Sequence, residues 1–323
     1  ANTWEGGCGH GFTPGAPAAK PVGLPEVSEP FRFPPPTEAP HASERRATTR
    51  YSPAAEHRGV RYAEICVTSN FTFLTGASHP DEFVQRAAEL GYHAIAITDT
   101  NTLSGIVRAH AEAKEQGLPL IVGCRLVLTE PAGLQILVYP SSRGAYAWLC
   151  QLLTMGKRRA PKGECHLTLD DLAGAPPDLL AIAIPGEAAS SLRVLRDIFA
   201  DRLSLAIARR YGPDDEAEFA RIAKLSEDTD IPLVAVNDAH YHTLDRRPLQ
   251  DVLTCIRHGC TIEQGGFRLH ANAERHLKTP DEMARLFASH PHAIARAVEI
   301  ADRAAAFNLD QLKYEYPVEP CPP

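Results

Sequence analysis

No apolar run in this sequence approaches the roughly 20 residues needed to cross a bilayer, and no basic-then-apolar leader opens it, which argues against a membrane role. Cysteines are present but unpatterned: the 8 of them form no CxxC pair and no regular framework. A chain of 323 residues can bury a continuous core without covalent staples, so reduced thiols and a cytoplasmic setting are expected. Positive charge is not in excess either. The formal net charge is -7, which leaves no global field for phosphate backbones, so any nucleic-acid contact has to be local. GxSxG, HExxH and Gly-rich phosphate-loop motifs are all missing, and no single Asn or Cys makes a nucleophile argument by itself.

What remains is an ordinary globular composition, 44% hydrophobic and 23% charged. It is unevenly distributed. Residues 1–60 are dense in proline, glycine, alanine and small polar residues, as at Phe33-Pro34-Pro35-Pro36, with no sustained apolar period. Such a composition cannot offset the entropy of ordering, which predicts a flexible extension with Trp4 and Phe12 as its candidate anchors. Residues 312–323 read as the start of a linker, and a chain that opens on Ala1 and closes on Pro320-Cys321-Pro322-Pro323 reads as part of something longer.

Between them, over 61–311, short apolar strands alternate with segments of helical period. Seven strands are expected: Tyr62 to Val67, Ala94 to Thr98, Leu118 to Leu128, Leu134 to Tyr139, Leu179 to Ile184, Leu203 to Arg209, and Pro232 to Asp238. The first helix is predicted with Ser78 as N-cap, Pro80 in the first turn, Phe83, Ala87 and Leu90 on one face, and Gly91 at its C-terminal end. Further helices are expected near Leu103 to Gln116, Ala145 to Met155, Ser191 to Phe199, Asp215 to Glu227, Leu249 to His258, Pro280 to Phe287 and Ala293 to Phe307. Strands apolar on both faces point to a parallel sheet covered by helices, and the length fits a closed β/α barrel, with a doubly wound open sheet as the alternative.

In a β/α barrel chemistry gathers where strands end. Those ends read Cys66-Val67-Thr68-Ser69-Asn70, Thr98-Asp99-Thr100-Asn101, Gly123-Cys124-Arg125 and Asn237-Asp238-Ala239-His240-Tyr241. Together with the run from Thr68 to Ser78 and with Gly105, their order and spacing resemble the PHP domain at the front of bacterial C-family DNA polymerases. Arg158-Arg159-Ala160-Pro161-Lys162-Gly163-Glu164-Cys165, Leu167 to Leu172 and Tyr314-Glu315-Tyr316-Pro317 resemble the error-prone branch in particular.

The resemblance implies an α/β fold, a distorted seven-stranded β/α barrel, whose active relatives hold up to three metal ions through histidines and carboxylates. Multinuclear hydrolysis needs several ligands at once to clamp both oxygens and lower the pKa of a bound water. This sequence departs from the pattern at most of those positions. The opening His-x-His is Cys66-Val67-Thr68, the His after the strand-two Asp is Thr100, and the Glu of strand three is Arg125. A further His near the end of strand six falls around Arg210 or Tyr211. An arginine at a ligand position puts a fixed positive charge where a cation should sit.

Asp99, Asp238 and His240 survive as a vestigial metal set. The alternative for Asp238 and His240 is a buried hydrogen-bonded pair tying loop to barrel, and for Asp99 a helix cap or loop anchor. His242, His258, His270, His276, His290 and His292 lack ligand spacing and are expected to be solvated or capping. The compact basic run Lys157, Arg158, Arg159 and Lys162 is either a contact to DNA phosphate or another polymerase domain, or a solvated loop. By resemblance, this segment carries no cofactor. The magnesium belongs to an absent polymerase core, and the sliding clamp and a Y-family-like accessory protein engage other regions. The segment itself is then a platform, with a residual phosphoesterase or 3'-5' exonuclease as the enzyme alternative and a stand-alone interaction module as a third.

Overall fold

The computed structural model describes residues 59–186 and 189–312. The predicted extension, apart from Gly59 and Val60, the linker beyond Leu312 and the stretch Tyr314-Glu315-Tyr316-Pro317 lie outside the described residues.

The expected alternation is present. In chain order the strands are β1 (Ala63–Glu64), β2 (Ala94–Ile97), β3 (Leu120–Val122), β4 (Cys124–Val127), β5 (Gln135–Pro140), β6 (Leu179–Ile184), β7 (Leu203–Ile207) and β8 (Leu233–Ala235). The helices are α1 (Pro80–Glu89), α2 (Ile106–Gln116), α3 (Arg143–Arg159), α4 (Ala189–Phe199), α5 (Asp215–Thr229), α6 (Arg247–His258), the single turn α7 (Ile262–Gly265), α8 (Pro280–Leu286) and α9 (Pro291–Ala304). The turn at α7 has no counterpart among the expected helices.

Two expectations about the strands need correction. The segment from Leu118 to Leu128 is two strands, not one. β3 pairs in parallel with β2, and β4 then leaves to pair antiparallel with β5. The break falls at Gly123, where a Cβ would stand 2.7 Å from the Thr98 side chain and 3.0 Å from the Tyr139 ring. Only glycine lets the backbone pass there without displacing a neighbour. Nor is the sheet wholly parallel: β5 runs antiparallel to both β4 and β6. The link from β4 to β5 explains its first pairing, because residues 128–134 suffice for a hairpin but not for the crossover that a parallel pair requires.

The result is one sheet of order β1-β2-β3 and another of order β4-β5-β6-β7-β8. They are stitched together on both sides near the strand ends. Val67 bridges Ala239, with Thr68 N–H donating to Ala239 O at 2.9 Å, and Thr100 bridges Arg125, with Asn101 N–H donating to Arg125 O at 2.8 Å.

Both faces of the strands are buried, and alternation divides the core. On β2, Ile95 and Ile97 face the helix-covered layer while Ala94 and Ala96 join an inner cluster with Ile65, Ile121, Leu137, Ile182 and Val234. Each isoleucine taken fully out of water contributes about 2 kcal/mol. The inner cluster also takes Ala297, Ile300, Ala301 and Ala304 of α9. This helix lies at the ends where strands begin, since Arg296 donates to Ser204 Oγ at 3.0 Å and His93, just before β2, meets Asp302. Alanines let its backbone come close, so that end is plugged by apolar packing.

Local signals set α1 with one shift. Pro80 opens it, Phe83, Val84 and Ala87 are buried, and Gly91 follows it at φ 73°. The N-cap, however, is His79, whose N–H donates to the Glu82 carboxylate at 2.8 Å. Ser78 instead bonds the His242 ring at 2.8 Å.

Candidate functional site

At the opposite ends of the strands the chain opens a cleft of about 380 Å³. Thr68 reaches it from the end of β1, Thr100 from β2, Arg125 from β4, Arg210 from beyond β7, and Asp238 and His240 from beyond β8. Arg275, on the segment before α8, completes it. That segment is held to the loop after β8 by backbone pairing: His240 N–H donates to Arg275 O at 2.9 Å, and Tyr241 bridges His276.

Asp238 is the centre of charge. It sits at φ 52°, a left-handed conformation that aspartate tolerates better than most side chains, and it is almost fully buried. Arg125 donates to Oδ1 at 2.5 Å, while Arg210 and Arg275 both reach Oδ2 at 3.1 Å. Burial alone would push this carboxyl up, but Arg275 and Arg125 outweigh it and hold it well below the usual carboxylate range. His240 does not bond Asp238; its Nε2 lies 3.9 Å from Oδ1 and instead faces Arg275 Nη1 at 2.7 Å. Burial, with Arg275 next, pushes the imidazole well below its ordinary value. The expected hydrogen-bonded pair is therefore not made. Arg275 stands between the two residues because a guanidinium has donors enough for both.

Asp99 plays a separate part. Its carboxylate accepts from Ser69 N–H at 2.8 Å, Ser69 Oγ at 2.7 Å and Thr72 Oγ1 at 2.7 Å, so it anchors the loop after β1. Burial raises its pKa against those donors. The loop is tight at Gly76, where a Cβ would stand 2.2 Å from Ser69 O.

These donors do not fit a metal cage. Both Asp238 oxygens face guanidinium groups, the Asp99 oxygens are taken by the loop, and His240 offers its free nitrogen to an arginine. Among the described residues no group of three or more His, Cys, Asp or Glu side chains is placed to hold an ion.

Residues 65–209 match the family of the PHP domain. An error-prone DNA polymerase of Bradyrhizobium sp. (strain ORS 278) is 48% identical over 279 residues, covering 82% of this chain and 24% of that protein. The chain carries a PHP domain of the kind found in error-prone DNA polymerases. The error-prone DNA polymerase of Caulobacter vibrioides is 44% identical over 273 residues, with 81% and 24% covered, and error-prone DNA polymerase 1 of Agrobacterium fabrum is 43% identical over 263, with 80% and 24% covered. The chain thus spans about a quarter of the length of these relatives.

Within this PHP domain, Arg125 occupies the cleft as expected, and of the alternatives Arg210 and Tyr211 it is Arg210 that lines it. Sequence reasoning missed Arg275. It lies outside every stretch that carried the resemblance, and no local pattern marks it. His270 was missed as well: expected among the solvated or capping histidines, it packs edge-on against His240 with ring centroids 5.2 Å apart. Burial, then Arg275, pushes its pKa down to about 4. His242 and His276 are half-buried, His290 stands at the N-cap position of α9, in keeping with the expected capping, and His258 and His292 are exposed as expected.

The basic run is placed elsewhere, and its groove shares no lining residue with the cleft. Lys157, Arg158 and Arg159 form the last turn of α3, which runs four residues past its expected end, where positive charge also complements the helix dipole. Arg159 Nη1 is fixed on both oxygens of Asp171, at 2.8 and 2.9 Å. Lys157, Arg158 and Lys162 are exposed.

Proposed function

We propose that this PHP domain is the metal-free platform of an error-prone DNA polymerase that acts in damage-induced translesion synthesis, a nucleotidyl transfer performed with magnesium by a polymerase core outside this chain. The two stitched sheets then form one distorted barrel, with Leu118 to Leu128 counted as a single interrupted strand. The core of the same protein is the domain's main partner. DNA, the sliding clamp and a Y-family-like accessory protein engage the whole polymerase in the cytoplasm, and Lys157, Arg158 and Lys162 offer a local phosphate or interdomain contact.

One observation carries the platform reading. The Arg125 guanidinium lies 2.5 Å from the Asp238 carboxylate, where a catalytic cation would have to bind. A fixed positive charge there repels a divalent ion and already satisfies the anion. Elemental analysis of the purified protein, combined with a phosphoesterase and exonuclease assay in manganese, tests it. Sub-stoichiometric metal and no turnover are expected. Stoichiometric metal with turnover abolished by His240→Ala would establish Asp99, Asp238 and His240 as a working metal set and discard the platform.

A further inference from the structure

The cleft that faces away from α9 holds more hydrogen-bond donors than its own residues can use. Arg125, Arg210 and Arg275 bring three guanidinium groups to one carboxylate, Asp238. Three buried polar atoms on cleft residues have no partner among the described residues: Thr68 Oγ1, Arg125 Nε and His240 Nδ1. Each is able to donate. A hydroxyl and a guanidinium N–H do so directly. His240 Nε2 has to accept from Arg275, which has no acceptor to offer, so the ring proton resides on Nδ1. Thr68 is 2% exposed and His240 7%. A buried donor left unpaired costs about 1–3 kcal/mol, so an oxygen acceptor that binds beside it is favoured.

We propose that this cleft is an oxyanion site that takes a phosphate group. The charges require an anion: three guanidinium groups against one carboxylate leave an excess of two positive charges, which a phosphate dianion balances. The donors require an acceptor with several oxygens: a cation would satisfy none of them, and a neutral amide, with its single oxygen, would neither satisfy them all nor balance the charge. The arrangement is graded in depth. The Arg125 side chain is 10% exposed, Arg275 18% and Arg210 51%, so Arg210 stands at the rim where it meets an incoming ligand first. A cleft of about 380 Å³ holds more than a lone phosphate ion, which leaves room for a nucleotide or a strand end carrying that group. The same substitutions that remove a metal cage thereby make the reverse kind of site.

The proposal rests on the metal-free reading, and one titration separates their failures. The full chain is titrated calorimetrically with inorganic phosphate, with sodium chloride at matched ionic strength as control, after metal content has been measured. Phosphate is expected to bind with a dissociation constant of about 1 mM or tighter, while chloride does not. Arg210→Gln and Thr68→Val, which keep the buried Arg125–Asp238 pair, are each expected to weaken binding at least about threefold, roughly the loss of one modest hydrogen bond. Titration with a deoxynucleoside triphosphate, and with a single-stranded oligonucleotide with and without a 5'-phosphate, assigns the source of the phosphate. Tighter binding of the phosphorylated strand points to nucleic acid, and tighter binding of the triphosphate or the free ion to a small ligand. No phosphate-specific heat in metal-free protein, or unchanged affinity in both variants, overturns the oxyanion site and leaves the platform standing. Stoichiometric bound metal overturns both.

Discussion

The two ends of the strand array are built on opposite principles. Where the strands begin, Ala297, Ile300, Ala301 and Ala304 of α9 close the interior with apolar contacts. Where they end, Arg125, Arg210 and Arg275 surround Asp238 in a polar cleft. Apolar packing is non-directional and tolerates modest change of shape, whereas a buried charge cluster depends on every partner being present. The contrast teaches that the closed end supports the fold and the charged end gathers the groups able to do chemistry.

The most damaging way to break the comparison is to remove one charge. Arg125→Ala leaves Asp238 buried with two more distant partners, Arg210 and Arg275, and is expected to cost about 3–5 kcal/mol in denaturant unfolding. A loss under about 1 kcal/mol would show that the cluster adds nothing to stability.

The next effect is of pH, and it comes from Glu64 beside the charged end. Its carboxylate accepts from Tyr62 Oη at 2.7 Å, Cys66 N–H at 2.9 Å and Asn237 N–H at 3.1 Å, yet burial still pushes it up from 4.5 to about 7. Between those pH values the unfolded chain loses this proton while the folded chain keeps it. The contribution is therefore fully present below pH 4.5 and lost as pH rises through about 7, a change of about 3 kcal/mol. Asp238, held low, acts in the reverse sense and only in stronger acid, so the two windows do not overlap. His240 and His270, held below their ordinary value, add stability with rising pH over the same range, so the test is a difference: the stability of Glu64→Gln relative to the native chain should rise as pH passes from 4.5 to about 7.

At the closed end, Ala301→Leu forces extra volume between α9 and the strands and is expected to cost about 2 kcal/mol with no effect on phosphate affinity. Coupling between that substitution and the cleft would blur the division. The smallest expected effect is none at all: a chelator should leave the melting temperature unchanged. A resident ion would add stability that disappears on its removal. A clear drop in melting temperature would return the charged end to metal chemistry.

Much of this was legible from residues alone. The strand and helix periods located nearly every element, because a chain buried on both strand faces must write its alternation as apolar runs, as at Ala94 to Ile97. Arg125 in the cleft was readable because it stands at a strand end within a stretch that carries the resemblance. The switch of partners at Gly123 was not, since pairing direction depends on which sheet the chain meets next and not on the local pattern. The separation of Asp238 from His240 was also hidden, because it depends on a third residue, Arg275, delivered from 35 positions away.

Sequence by itself determined the period of the elements, the presence of Cys66, Thr68, Thr100 and Arg125 where the resemblance implies imidazole or carboxylate, and the likeness to the PHP domain of error-prone polymerases. Tertiary structure alone decided that three arginines converge on one aspartate and that donors are left over around them. The reason is physical: propensity and burial period act over a few residues along the chain, whereas charge compensation acts over a few ångströms in space and draws partners from anywhere in it.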